Sequence, residues 1–294
     1  IDIALAYFSY EITKWKIQEG RKIGDHELVE AEEMKVKKYP LFLEGPVKTM
    51  KIVSKEGAGK EYWKIRNSSL RDEELGMYRV SEKSIGDNYE NSLKTDLMPT
   101  WLDKKSVWVH LSYKFYLEML RNGLYHEFFN EMTTGGILPF THQESYGRSL
   151  LECSSFIASS TSTDPRNGHG VLARLTGATS EFLSIWTLMM IGPRPYYLEK
   201  DGSLRMRFVP SLPMWLFQEP DAEGVRTVAF KLFSSISVTY HNSLDRDLYD
   251  TWPQSYKVVL RDGTITHFEG SSLPTDIALK IRRVAFVDTV DVYF

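Results

Sequence analysis

The stretch GHGVLARLTGATSEFLSIW, Gly168 to Trp186, joins a glycine-rich loop to an amphipathic helix through Thr176-Gly177. Phe182, Ile185, Trp186 and Met189 recur at i, i+3, i+4 and i+7, the spacing of one apolar helical stripe. Thr176 then stands as the natural N-cap. A helix opening there turns unbonded backbone N–H groups and the positive end of its dipole toward the loop, which suits a phosphate or carboxylate. His169 and Arg174 lie close by in sequence. An ordinary capped helix behind a glycine loop uses the same residues, so an anion site needs support from elsewhere in the chain.

On the C-terminal side of this stretch the pattern changes. Past Pro193, LEKDGSLRMRFVP, TVAFKLFSSISVTYHN and YKVVLRDGTITHFEG alternate with period two, and Asp201-Gly202 and Asp262-Gly263 sit where hairpin turns belong. VDTVDVYF supplies a last strand. A structural boundary is therefore expected near Gly192 to Tyr197, with an antiparallel β domain of residues 193–294 beyond it and Trp215 and Phe217 close to the junction. On the N-terminal side the pattern is helical. Trp108, Leu111, Phe115 and Met119 stripe a helix that starts at Asp103 and ends near Gly123, and Leu124 to Met132 begins another, an antiparallel pair. Ala4 to Gln18 reads as an opening helix followed by a charged segment, Glu27 to Lys38. Pro40, Gly45 and Pro46 mark a loop with a short strand, and Glu56 to Pro99 reads as one long polar surface loop.

Composition bounds the function. A chain of 294 residues with 42% hydrophobic content builds one large or two ordinary cores. With 36 basic and 39 acidic residues and no long basic block, there is no electrostatic case for nucleic acid. Cys153 is the only cysteine, which excludes an internal disulfide framework and a thiolate zinc cluster and points to a reducing, cytoplasmic compartment. The apolar run from Phe182 to Pro193 is too short for a bilayer, and Asp2, Glu11 and Lys14 interrupt the N-terminal apolar segment, so no membrane association is expected. An aromatic content of 13% allows stacking platforms for sugar rings as well as large cores.

The residues now assembled resemble the inverting β-glucoside phosphorylases, the group that contains cellobiose phosphorylase and the β-1,3-oligoglucan phosphorylases. The resemblance rests on SVWVHLSYKFYLEML, with His110 at a helix start, and on RLTGATSEF, with Thr176-Gly177 at the start of a later helix. It spans roughly Trp101 to Phe217. It implies an α+β multidomain fold: residues 1–192 forming part of an (α/α)6 barrel and residues 193–294 a jelly-roll-like β-sandwich. It implies that His110, Thr176 and Gly177 hold inorganic phosphate, the co-substrate, with charge from Arg148 or Arg174, and that no other cofactor and no metal is used. Within YGRSLLECSSFIASS it places Glu152 on the substrate cavity. Asp103 occupies an acceptor-sugar position, and Trp101 is a further candidate sugar contact. The chain departs from the cellobiose phosphorylase pattern where Lys105-Ser106 replaces a glycine pair, which implies a different acceptor subsite.

The chemistry asks for such residues. In inverting phosphorolysis, phosphate attacks the anomeric carbon from the face opposite the leaving group, while a carboxylic acid protonates the glycosidic oxygen. The family's acid precedes its phosphate histidine by a long way, so it is expected upstream of Ile1 and the chain is expected to be the C-terminal portion of a longer enzyme. Asp87, Asp96, Asp103, Glu144 and Glu152 are not assigned that role. The partners implied are an oligosaccharide, the N-terminal remainder of the barrel and a second copy in a homodimer. Two other functions stay open: an inverting hydrolase on the same barrel with Glu152 as base, and a non-catalytic carbohydrate-binding or scaffold module presenting Trp101, Trp108 and Trp215.

Overall fold

The computed structural model describes residues 8–38, 41–82, 106–136, 146, 156–159, 165, 167–171 and 176–294. The chain is a mixture of helices and sheets arranged in two compact units, Ile1–Glu181 and Phe182–Phe294. The first unit opens with a hairpin. Strand β1, Phe8–Ile23, pairs antiparallel with β2, His26–Lys38. This corrects the helix expected over Ala4 to Gln18 wherever those residues are described, and the charged segment that was to follow it is β2. Tyr10 lies opposite Val36, Ile12 opposite Met34, Trp15 opposite Ala31 and Ile17 opposite Val29.

Two register shifts, between Ile12 and Lys14 and between Lys14 and Trp15, leave Thr13 and Glu32 without cross-strand partners. Each shift is a bulge that advances one strand by a residue, so the pair of them returns Trp15 to the face that carries Ile12. The reverse face pairs unlike charges: Lys16 opposite Glu30, Lys14 opposite Glu33 and Glu11 opposite Lys35. Lys16 and Glu30 form an ion pair at 3.3 Å.

Helix α1, Glu44–Met50, follows, and carries Gly45 and Pro46 in its first turn rather than in a loop. Proline is tolerated there because first-turn N–H groups have no helical acceptor. Helix α2, Lys55–Arg66, replaces the first part of the expected surface loop. Ser54 caps it, its Oγ accepting from Gly57 N–H at 3.2 Å. Ala58, Tyr62 and Ile65 fall at i, i+4 and i+7 and are buried, which is the stripe that seats the helix.

A two-residue pair joins β3, Arg71–Asp72, to β4, Met77–Tyr78. Then come β5, Val107–Trp108, and the helices α3, Val109–Arg121, and α4, Tyr125–Glu131; Leu111, Phe115 and Met119 of the expected stripe are buried on α3, whereas Trp108, expected within the helix, belongs to the strand before it and is partly buried. Among the described residues of this unit the remaining strands are β6, Phe156–Ile157, and β7, Gly170–Val171, which make a small sheet in the order β5-β6-β7. The helix expected after the glycine loop is α5, Thr176–Met190; it begins in the first unit and ends in the second.

The second unit is β-rich, as the alternation implied. A hairpin of β8, Tyr196–Leu198, and β9, Leu204–Met206, turns through Gly202, whose φ of 82° is the left-handed conformation glycine accepts without strain. The main sheet comprises β10, Arg226–Leu232; β11, Ile236–Asn242; β12, Ser255–Leu260; β13, Ile265–Glu269; and β14, Val287–Tyr293. Its order is β10-β11-β14-β12-β13. Helix α6, Thr275–Arg283, leads into β14, which enters the middle of the sheet parallel to β11. Pairing is thus antiparallel except at that one ladder, because a strand reached through a helical crossover can join its neighbour in the parallel sense. Ile236, Val238, Tyr240, Tyr256, Val258, Val290 and Val292 form one buried face with Ile277, Ala278 and Ile281 of α6.

Candidate functional site

The first unit brings the glycine loop, the start of α5 and His110 to one place. Val107 and Trp108 pair with Ile157 and Phe156, and these pair in turn with Gly170 and Val171. Ala158 N–H donates to His169 C=O at 2.9 Å and Gly168 N–H to Ala158 C=O at 2.7 Å, so the loop is laced to β6 through its backbone. His110 follows β5 directly, in the first turn of α3. Gly177, second residue of α5, packs on it: a Cβ built on Gly177 would stand 3.5 Å from His110 Cβ. His110 and Gly177, two of the residues that the resemblance brings into one anion site, are therefore adjacent in space.

Aromatic packing fixes the imidazole. Trp108 lies against it with ring centroids 5.8 Å apart, and Trp108 in turn meets Phe156 edge-on at 5.6 Å and Phe42 at 6.5 Å. Trp108 Nε1 donates to Ser106 Oγ at 3.1 Å. Below the site, Ser112 Oγ donates to Tyr78 C=O at 3.2 Å and ties α3 to β4. The His110 pKa lies below its ordinary value of 6.5, because burial disfavours the imidazolium, the Lys114 ammonium repels it, and Glu44 only partly offsets both. At neutral pH the ring is uncharged and presents one N–H donor and one acceptor. Lys114, one helical turn beyond, brings a positive charge that the sequence reading did not include.

Of the other residues marked in the sequence, Thr176 opens α5 in its backbone. Trp101, Asp103, Arg148, Glu152 and Arg174 lie outside the described residues. Trp108 is packed among rings, whereas Trp215 is exposed on a short 3-10 turn, Met214–Leu216, of the second unit. No group of three or more His, Cys, Asp and Glu side chains is placed to hold a metal ion among the described residues, and no described helix is long and apolar enough to cross a membrane.

Sequence reasoning missed two buried carboxylates close to the site. Glu131, fully buried at the end of α4, accepts from Tyr78 Oη at 2.7 Å and Tyr62 Oη at 3.0 Å and pairs with Arg71. The phenols answer to burial first and to the carboxylate second: Tyr62 and Tyr78 are both held far above the ordinary phenol pKa. Asp72 accepts from Arg79 Nη2 at 3.0 Å, from the backbone N–H groups of Glu74 and Leu75 at 3.1 Å each, and from Ser159 Oγ. Both carboxylates are tied to donors from several elements, which suits an architectural role. The available signal for Glu131 was its place among Phe128, Phe129 and Met132 on the core side of α4.

No protein-family model matches the chain, and no curated protein is significantly similar to it.

Proposed function

We propose that the chain is the phosphate-binding part of an inverting glycoside phosphorylase, a cytoplasmic enzyme that cleaves β-linked gluco-oligosaccharides, β-1,3-linked ones above all, and releases α-glucose 1-phosphate. On this reading the first unit belongs to an (α/α)6 barrel and the second to a jelly-roll-like domain. The observation that carries it is the packing of Gly177, at the start of a fifteen-residue helix, on His110. A neutral imidazole N–H, the Thr176 hydroxyl and the first-turn amides of α5 can grip three phosphate oxygens and leave the fourth aimed at an anomeric carbon. Lys114 supplies compensating charge, with Arg148 and Arg174 as further donors; Asp103, Glu152 and Trp101 are assigned to the sugar. The proton donor to the leaving oxygen is assigned to no residue of this chain.

The test is direct binding of inorganic phosphate by titration calorimetry, followed by release of glucose 1-phosphate from laminari- and cello-oligosaccharides by the complete enzyme. Thr176→Ala and His110→Ala should each weaken phosphate binding by tenfold or more, as expected for a charge-assisted hydrogen bond of about 1.5–3 kcal/mol, and leave oligosaccharide binding intact. Equal phosphate affinity in both variants would reject the site. Sugar release that does not depend on phosphate would reject phosphorolysis in favour of hydrolysis.

A further inference from the structure

The second unit holds an arginine with no acceptor of its own. On the β8–β9 hairpin, Met206 and Phe208 turn into the core, so Arg205 and Arg207, which alternate with them, share the outer face with Tyr197, the residue opposite Arg205. Arg207 N–H donates to Pro195 C=O at 2.9 Å and carries the ladder one step past β9. The Arg207 guanidinium carbon lies 4.5 Å from the centre of the Tyr197 ring and 4.4 Å from that of Trp252. Trp252 arrives on the segment leading into β12, anchored where Gln254 N–H donates to Tyr293 C=O at 2.8 Å. Among the described residues Arg207 makes no ion pair and no side-chain hydrogen bond, and each of its guanidinium nitrogens reaches solvent. We propose that Arg207 and Trp252 form a binding site for a small organic oxyanion, a carboxylate or a phosphate monoester, whose apolar body rests on Trp252.

The chain supplies its own contrast. Arg71 also lies over a ring, that of Tyr78 at 4.9 Å, but its guanidinium is paired with Glu131. Arg207 has two rings and no carboxylate. Those rings hold the guanidinium in place, so the side-chain freedom that binding an anion ordinarily costs is already surrendered. What remains open is a planar fork of donors, the shape that matches two oxygens of a carboxylate or phosphate. Charge favours the same class of ligand. Arg205, two residues away on the same face, adds a second positive charge, and its Nε is buried without a partner among the described residues. The hairpin's own carboxylates, Glu199 and Asp201, stand at its turn, at least about 13 Å along the strand from Arg207. Asp201 accepts there from Ser203 N–H at 2.9 Å. Trp252 is 55% exposed and offers apolar surface beside the fork. The site lies wholly within the second unit and does not rest on the phosphate grip assigned to His110.

The test titrates the full chain with glucuronate, glucose 6-phosphate and, as the neutral control, glucose. The Arg207 Nε–H resonance, identified by its loss in Arg207→Lys, should shift saturably with glucuronate, with glucose 6-phosphate or with both, and not with glucose; a response to one anion alone supports the site and names the group it takes. Calorimetry in a His110→Ala background reads this site apart from the phosphate grip proposed above. There, Arg207→Lys keeps the charge but not the fork and should weaken anion binding at least about tenfold. Trp252→Ala, which releases one side of the guanidinium, should weaken it about threefold or more. A resonance that moves with neither anion overturns the proposal, as does glucose bound as tightly as the anions. So does an affinity that either substitution leaves unchanged.

Discussion

His110 shows how a single residue takes its properties from three elements. Its place after β5 comes from the Val107-Trp108 pairing, its burial from the Trp108 ring and the Gly177 backbone, and its electrostatics from Lys114 and Glu44. The consequence for stability has a definite sign. Because the folded-state pKa is depressed, the unfolded chain takes up the proton first; the contribution of this group is complete above its ordinary value of 6.5 and is lost as pH falls from there through the folded pKa. A proton NMR titration should place the His110 midpoint below 6.5, and Lys114→Gln should move it upward. His110→Gln should flatten that part of the pH–stability profile. A midpoint at or above the ordinary value would mean that the ring is neither desolvated nor repelled.

At the scale of elements, Glu131 is the joint of the first unit. Its carboxylate gathers Tyr62 from α2, Tyr78 from β4 and Arg71 from β3 onto the end of α4. Glu131→Gln keeps the shape but leaves the buried Arg71 guanidinium with only the exposed Glu73 carboxylate, 3.8 Å from its Nε, as counter-charge, and should destabilise the fold by about 3 kcal/mol in urea denaturation. A change under about 1 kcal/mol would show that Arg71 finds another partner or reaches water.

Elements also mark where the sequence was legible. Strands β10 to β13 announced themselves by unbroken alternation and an Asp-Gly turn, and α3 and α5 by clean stripes. The first hairpin did not, for a physical reason. Phe8, Ile12 and Trp15 stand at i, i+4 and i+7, a helical spacing, and become one face of a strand only because the bulge at Thr13 inserts a residue between Ile12 and Trp15. Helix α2 was hidden differently: Gly57 and Gly59 in its first turns read as turn residues, while its short buried stripe is diluted by lysines and glutamates. For the site, the two helix starts were legible in sequence, but only the resemblance joined His110 to Gly177. Lys114 was not legible, because a lysine one turn along a helix is indistinguishable in sequence from a solvated one.

For the whole molecule, the division into two units makes a claim about independence. The second unit owns a core that runs from Met190 and Ile191 through Phe208, Tyr240 and Val258 to Val292 and Phe294. The end of α5 is part of it. Tyr240 donates to Met190 C=O, Val209 N–H to Ile191 C=O at 3.0 Å and Ser211 N–H to Met189 C=O at 2.8 Å, so a cut at the expected boundary beyond Gly192 would leave these three donors without their acceptors. Residues 176–294 expressed by themselves should therefore fold and unfold in one cooperative transition with dispersed amide resonances, whereas residues 193–294 should not. Gly192 gives a sharper check within the longer fragment. Its φ is 105°, and a Cβ there would come within 2.5 Å of Val209 C=O, so Gly192→Ala meets both backbone strain and a backbone clash. It should lower the stability of residues 176–294 by about 2–3 kcal/mol, since strain of this kind typically amounts to about 1–3 kcal/mol and the clash adds to it. If residues 193–294 prove as stable as residues 176–294, or Gly192→Ala is neutral, the end of α5 is not part of this core.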